Sequence, residues 1–121
     1  MDENFWSAIE TLVETSEIII DRPRGSRHPL HSMVVYPLDY GYLRGTQSGD
    51  QAGIDIWIGS QSNQDVDAIV CTIDLEKSDA EIKILIGCTE DNIAQIVHFH
   101  NQGAQSAILV HRDHPKPGNE I

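Results

Sequence analysis

The sequence predicts a mainly β, α+β chain: a small OB-like β-barrel with an N-terminal helix and a late peripheral helix. Short aliphatic and β-branched runs recur along its 121 residues, separated by Gly, Pro and Asp turn signals, as in small barrels and sandwiches. No helical period falls between the central strands, which argues against a doubly wound parallel sheet with crossover helices. Helical period is confined to the start of the chain and to one stretch before the last strand.

Taken in order, residues 4–14 place Trp6, Ile9, Leu12 and Val13 on one side of a helix, within an N-terminal helical segment 1–16. Residues 17–21 read as a strand, closed by the turn-rich and basic stretch Arg22-Pro23-Arg24-Gly25-Ser26-Arg27. Residues 33–36 read as a second short strand, stopped by Pro37. The glycines at 45, 49 and 53 mark a loop. Ile54, Ile56 and Ile58 then alternate with Asp55 and Trp57 as a half-buried strand does. Strands are expected over 66–73 and 81–86, a helix over 90–100 capped by Thr89, and a last strand over 106–111. Residues 112–121 read as a flexible, Pro- and Gly-bearing tail.

At 13.5 kDa the chain is expected to be a single domain spanning 1–121. Its apolar runs are strand-sized, far short of the roughly 20 residues that cross a bilayer, so no membrane partner is expected. The acidic start lacks the basic region of a secretory signal, and a cytoplasmic location is expected. Nineteen acidic residues against eight Lys and Arg give a net charge of -11, which disfavours nucleic acid, a ligand held by displacing counterions with basic side chains. Cys71 and Cys88 have no zinc-site spacing, and Cys71 reads as a buried structural thiol.

Position says more than composition. Asp21, Asp50, Asp55, Asp74 and Asp79 all fall at expected strand ends, which a small barrel can gather at one rim. Two unit charges at 4 Å repel by about 4 kcal/mol at an effective dielectric near 20, so gathered acids need a counter-charge. Hard oxygen ligands suit Mg²⁺ or Mn²⁺, ions that can activate water and neutralise a phosphate. The same aspartates could equally serve as local turn formers, and Asp65 and Asp67 are read so. Tyr36, Tyr40 and Tyr42 lie within seven positions, which alone indicates an aromatic cluster with hydroxyls reaching partners.

The run Tyr36-Pro37-Leu38-Asp39-Tyr40-Gly41-Tyr42-Leu43, followed by Gly45-Thr46 and by Asp50 and Asp55, resembles the soluble (Family I) inorganic pyrophosphatases. Upstream, Ile20-Asp21-Arg22-Pro23-Arg24-Gly25-Ser26 is similar to that family's strand and Gly-Ser turn; downstream, Asp74 and Asp79-Ala80 keep the spacing of two family aspartates. Ala94 to Phe99 resembles its late helix. The resemblance implies an OB-like barrel, Mg²⁺ dependence with Mn²⁺ as a substitute, hydrolysis of pyrophosphate to two phosphates, and a homo-oligomer. It implies metal-holding roles for Asp21, Asp50, Asp55, Asp74 and Asp79, and catalytic support from Tyr40 and Tyr36.

Departures from the family pattern are specific. Ala52 stands where a water-orienting aspartate is expected, and Gly53 replaces a proline. Loss of a general base costs roughly 10²- to 10⁴-fold. Glu81 stands where a phosphate-binding lysine should follow Asp79 by two. Only four residues separate His31 from Tyr36, so a hairpin bearing Lys, Glu and Arg is missing. A late Tyr-Lys pair is absent, its region held by His98, Phe99, His100 and Asn101. Arg24 and Arg27 are the candidate substrate-binding cations. The expected function is a weakened or altered Mg²⁺-dependent hydrolase of pyrophosphate or a related small phosphate compound. The alternatives are an inactive binding or regulatory protein of the same fold, and a structural oligomerisation domain.

Overall fold

The computed structural model describes residues 2–49 and 51–113. Among them run α1 (Glu3–Thr15), β1 (Ile18–Arg22), β2 (Asp39–Leu43), β3 (Ile54–Ile58), β4 (Ala68–Asp74), β5 (Asp79–Ile86), α2 (Glu90–Phe99) and β6 (Gln105–His111). The strands form one mixed sheet in the order β1-β2-β3-β5-β4-β6. Every pairing is antiparallel except β3 with β5. This is the expected α+β fold dominated by β structure, of the partly open OB-like type. No helix among the described residues is long and apolar enough to cross a membrane.

Side-chain alternation gives the sheet two apolar faces. On one, Leu43, Ile56, Ile69, Ile84 and Ile86 pack under Trp6, Ile9 and Val13 of α1. On the other, Trp57, Ala68, Val70 and Leu85 pack under Ile93 and Ile96 of α2 and against Tyr36 and Leu38. Thr89 begins α2 as the sequence predicts: its side chain accepts from the Asn92 amide while Asn92 reaches back to the Thr89 amide. Buried Asn92 also accepts from the Ser60 amide and hydroxyl, tying α2 to the end of β3.

The expected strand over 33–36 does not form; that stretch keeps one isolated bridge, Arg27 to Val35. The partner of β1 is instead β2, which begins after Pro37 and contains the tyrosine run. Gly41 makes that pairing possible, because a Cβ there would collide with the Ile19 carbonyl. The expected flexible tail is corrected at its first residue. Arg112 is buried, and its guanidinium donates to Glu3 at 2.8 Å and to Glu10 at 3.2 Å. Residues 114–121 lie outside the described residues. At the β6 edge of the sheet, the Asn101 carboxamide accepts from the Ala107 amide at 3.0 Å and donates to the Ala107 carbonyl at 3.3 Å.

Candidate active site

Register puts the polar side chains of interest on the α2 face. Tyr40 lies opposite Trp57, Asp55 opposite Lys83, and Asp74 opposite Asp79. Period two then aligns Asp79, Glu81, Lys83 and Leu85 along β5. At the centre of the row Lys83 is 4% exposed. Its ammonium donates to Asp55 and Glu81, each at 2.6 Å, and to the Tyr40 hydroxyl at 2.9 Å. All three of its N–H groups are thereby used. Burial alone would lower the Lys83 pKa, but Tyr40, Asp55 and Glu81 outweigh it and hold the amine well above its ordinary value. Burial, reinforced by Asp55, pushes the Tyr40 hydroxyl far up against the opposing pull of Lys83, so it stays protonated.

Tyr36 is buried in a ring cluster, 5.4 Å from Tyr40, 6.0 Å from Trp57 and 5.0 Å from Phe99. Burial raises its hydroxyl pKa, with Arg22 pulling the other way. Trp57 Nε1, which can only donate, gives its proton to His100 Nε2 at 3.0 Å. The His100 proton therefore sits on Nδ1, donated to Gln105 Oε1 at 2.7 Å. Burial pushes His100 down to about 4, leaving it neutral at ordinary pH.

The five expected metal aspartates part company. Asp55 belongs to the central cluster. Asp74 accepts the amides of Glu76 and Lys77 in the β4–β5 turn, at 2.9 and 3.1 Å, and Gln105 Nε2 at 3.4 Å. Those bonds, the Lys77 amide first, hold its carboxyl below the ordinary value. Asp79 lies opposite it, roughly 13 Å along β5 from the Lys83 row at 3.3 Å per residue. Asp21 is exposed at an irregularity between Ile20 and Arg22, its carboxylate 4.0 Å from Arg22. Asp50 lies outside the described residues. Among the described residues, no three His, Cys, Asp or Glu side chains form a group that could hold a metal ion. At the central cluster Asp55 and Glu81 converge on the Lys83 ammonium.

The residue the sequence reading missed is Lys83, which lies two residues beyond Glu81 in Glu81-Ile82-Lys83. A single lysine inside the apolar run of β5 was its signal. Arg24 and Arg27 stand in the exposed loop after β1. The Arg24 amide donates to Asp39 at 2.8 Å, and the Arg27 guanidinium to the Ser32 carbonyl at 2.8 Å. Among the described residues neither has an acidic partner. His28, stacked 6.3 Å from Tyr36, brings this loop to the aromatic edge of the site.

Sheet order and helix placement define a small, mainly β, α+β fold of OB-like type. The backbone is similar to the crystal structure of an inorganic pyrophosphatase from Neisseria gonorrhoeae, with a TM-score of 0.63 and 15% identity over 78% of this chain and 81% of that one. No protein-family model matches the chain, and no curated protein sequence matches it. The likeness is one of fold.

Proposed function

We propose that the chain hydrolyses a small phosphoanhydride, pyrophosphate or a close relative, with a divalent cation and at a reduced rate. The observation that carries this reading is the convergence of Asp55, Glu81 and Tyr40 on buried Lys83. Asp55 and Glu81 would hold Mg²⁺ or Mn²⁺, which when bound supplies charge neutralisation and an activated water. Lys83 acts as an internal counter-charge that keeps the acids together in the free protein, and Tyr40, held protonated, donates without titrating. Arg24 and Arg27, without acidic partners among the described residues, grip phosphoryl oxygens. Ala52 offers no carboxylate to orient water, which accounts for a slow reaction.

A second reading is favoured by the saturation of Lys83: its ammonium already occupies both carboxylates, as suits a binding or regulatory protein. Phosphate release from pyrophosphate with Mg²⁺, with Mn²⁺ and with chelator separates the two. Metal-dependent release above background supports the hydrolase. Background release together with calorimetric binding of pyrophosphate supports the binding protein and ends the first reading.

A further inference from the structure

Between β1 and β2 the chain turns back on itself as a short hairpin. Backbone bonds close its stem: the Gly25 amide to the Tyr36 carbonyl, the Tyr36 amide to the Ser26 carbonyl and the His28 amide to the Val34 carbonyl, each at 2.9 Å. Side chains tie down the tip. The Arg27 guanidinium donates to the Ser32 carbonyl at 2.8 Å, and His28 Nδ1 accepts from the Leu30 amide at 3.1 Å. On this ordered tip Leu30 is 82% and Met33 89% exposed, more than any other large apolar side chain among the described residues. One exposed hydrophobic is ordinary; two bare ones together on a bonded turn mark a contact.

Charge singles out the same stretch. Residues 22–38 hold three of the chain's eight Lys and Arg, together with His28 and His31, and no Asp or Glu. In a molecule of net charge -11 the sign reverses here. The acids on either side are engaged at the base of the hairpin: Asp21 lies 4.0 Å from Arg22, and Asp39 accepts the Arg24 amide at 2.8 Å.

We infer that the hairpin tip docks on an anionic lipid surface, with Leu30 and Met33 entering the interface and Arg24 and Arg27 against lipid phosphates. Two demands meet in this segment, an apolar medium for the tip and anions for the stem. A free phosphate answers the second alone, and a neutral apolar ligand the first alone. A charged leaflet answers both, and in the right order, since acyl chains lie beneath headgroups as Leu30 and Met33 lie beyond Arg24 on the hairpin. That no helix among the described residues crosses a bilayer bears on spanning one, not on resting against it. Acids elsewhere on the molecule oppose the approach, an effect that salt screens beyond about 8 Å, so the contact is weak and reversible. The inference does not depend on hydrolysis. Arg24 and Arg27 are also the cations assigned to pyrophosphate, so the lipid and the small phosphate compete for them.

The test is co-sedimentation of the full chain, at physiological ionic strength, with vesicles of equal parts phosphatidylserine and phosphatidylcholine and with vesicles of phosphatidylcholine alone. Binding to the mixed vesicles and not to the neutral ones is expected. Arg27→Gln should lower the partition coefficient about fivefold, the worth of one basic side chain near a charged leaflet. Leu30→Ser and Met33→Ser should each lower it about tenfold and leave calorimetric affinity for pyrophosphate unchanged, which separates the tip from a free-phosphate site. Leu75→Ser, in the β4–β5 turn where Leu75 is 76% exposed, should bind vesicles as the wild type does. No preference for the mixed vesicles, or tip variants that bind them as the wild type does, overturns the proposal. An equal loss at Leu75 overturns it too, because any bare leucine would then suffice. A chain that binds pyrophosphate and neither kind of vesicle would assign the arginines to free phosphate and end the lipid contact.

Discussion

Replacing Lys83 with methionine removes one positive charge from between two acids and keeps most of the side-chain volume. The Asp55 and Glu81 oxygens each lie 2.6 Å from the same nitrogen, so they are no more than about 5 Å apart. At that distance, with an effective dielectric near 20, two carboxylates repel by about 3 kcal/mol. Breaking a buried pair from one side costs 3–5 kcal/mol in general. Side-chain exposures of 26% for Asp55 and 16% for Glu81 let water relieve some of it, so about 3 kcal/mol is the expected loss. Urea unfolding at pH 7 and low ionic strength measures it. The same cavity, emptied of its ammonium, should accept Mg²⁺. At a hundredfold excess over its dissociation constant the ion returns about 2.7 kcal/mol, to Lys83→Met far more than to the wild type. A variant within about 0.5 kcal/mol of wild type, or equal responses of the two proteins to Mg²⁺, would refute the account of Lys83 as an internal counter-charge.

Arg24→Gln and Arg27→Gln should each weaken pyrophosphate binding about tenfold, the value of one charge-assisted hydrogen bond, with the thermal midpoint little changed. Calorimetry that finds unaltered affinity in both removes these arginines from the site. His100 is neutral in the fold, with a pKa of about 4, whereas the unfolded chain takes up the proton below about 6.5. Its contribution is therefore full above pH 6.5 and is lost as pH falls toward 4, by about 2 kcal/mol at pH 5. The difference in unfolding free energy between wild type and His100→Gln, measured at pH 7 and at pH 5, should shrink by that amount; a constant difference would contradict the buried neutral imidazole. Arg112→Met should cost about 2 kcal/mol, below the range for a fully buried pair, since Glu3 and Glu10 are 47% and 25% exposed and can rehydrate. An unchanged urea midpoint would show the two ion pairs to be dispensable.

Most of the fold was legible because alternation and caps are local signals. Ile54 to Ile58 alternates without interruption, and Thr89 with Asn92 marks a helix start that the structure keeps. The expected strand over 33–36 is cut to a single bridge because Val35 finds only Arg27 opposite it, in a short loop, whereas Tyr40-Gly41-Tyr42 can approach β1 at its glycine. Pairing is a property of two segments, and neither reveals it alone. The site was legible in part. Tyr40 and Asp55 meet as expected, but Asp74 and Asp79 close a turn at the far end of the row. Lys83 was passed over because it lies two residues beyond Glu81, the position where the resemblance places a lysine. Cys71, read as a buried thiol, is half-buried between Ile82 and Ile108, since period two says which face a residue takes and not whether anything covers that face.

The carboxamide of Asn101, spliced against Ala107, stands in for a neighbouring strand at one of the two edges where the sheet could go on growing. β6 carries no proline and no lysine to discourage a newcomer. One borrowed amide interrupts the rhythm that strand-by-strand addition would follow. An open rim there would invite growth into fibres.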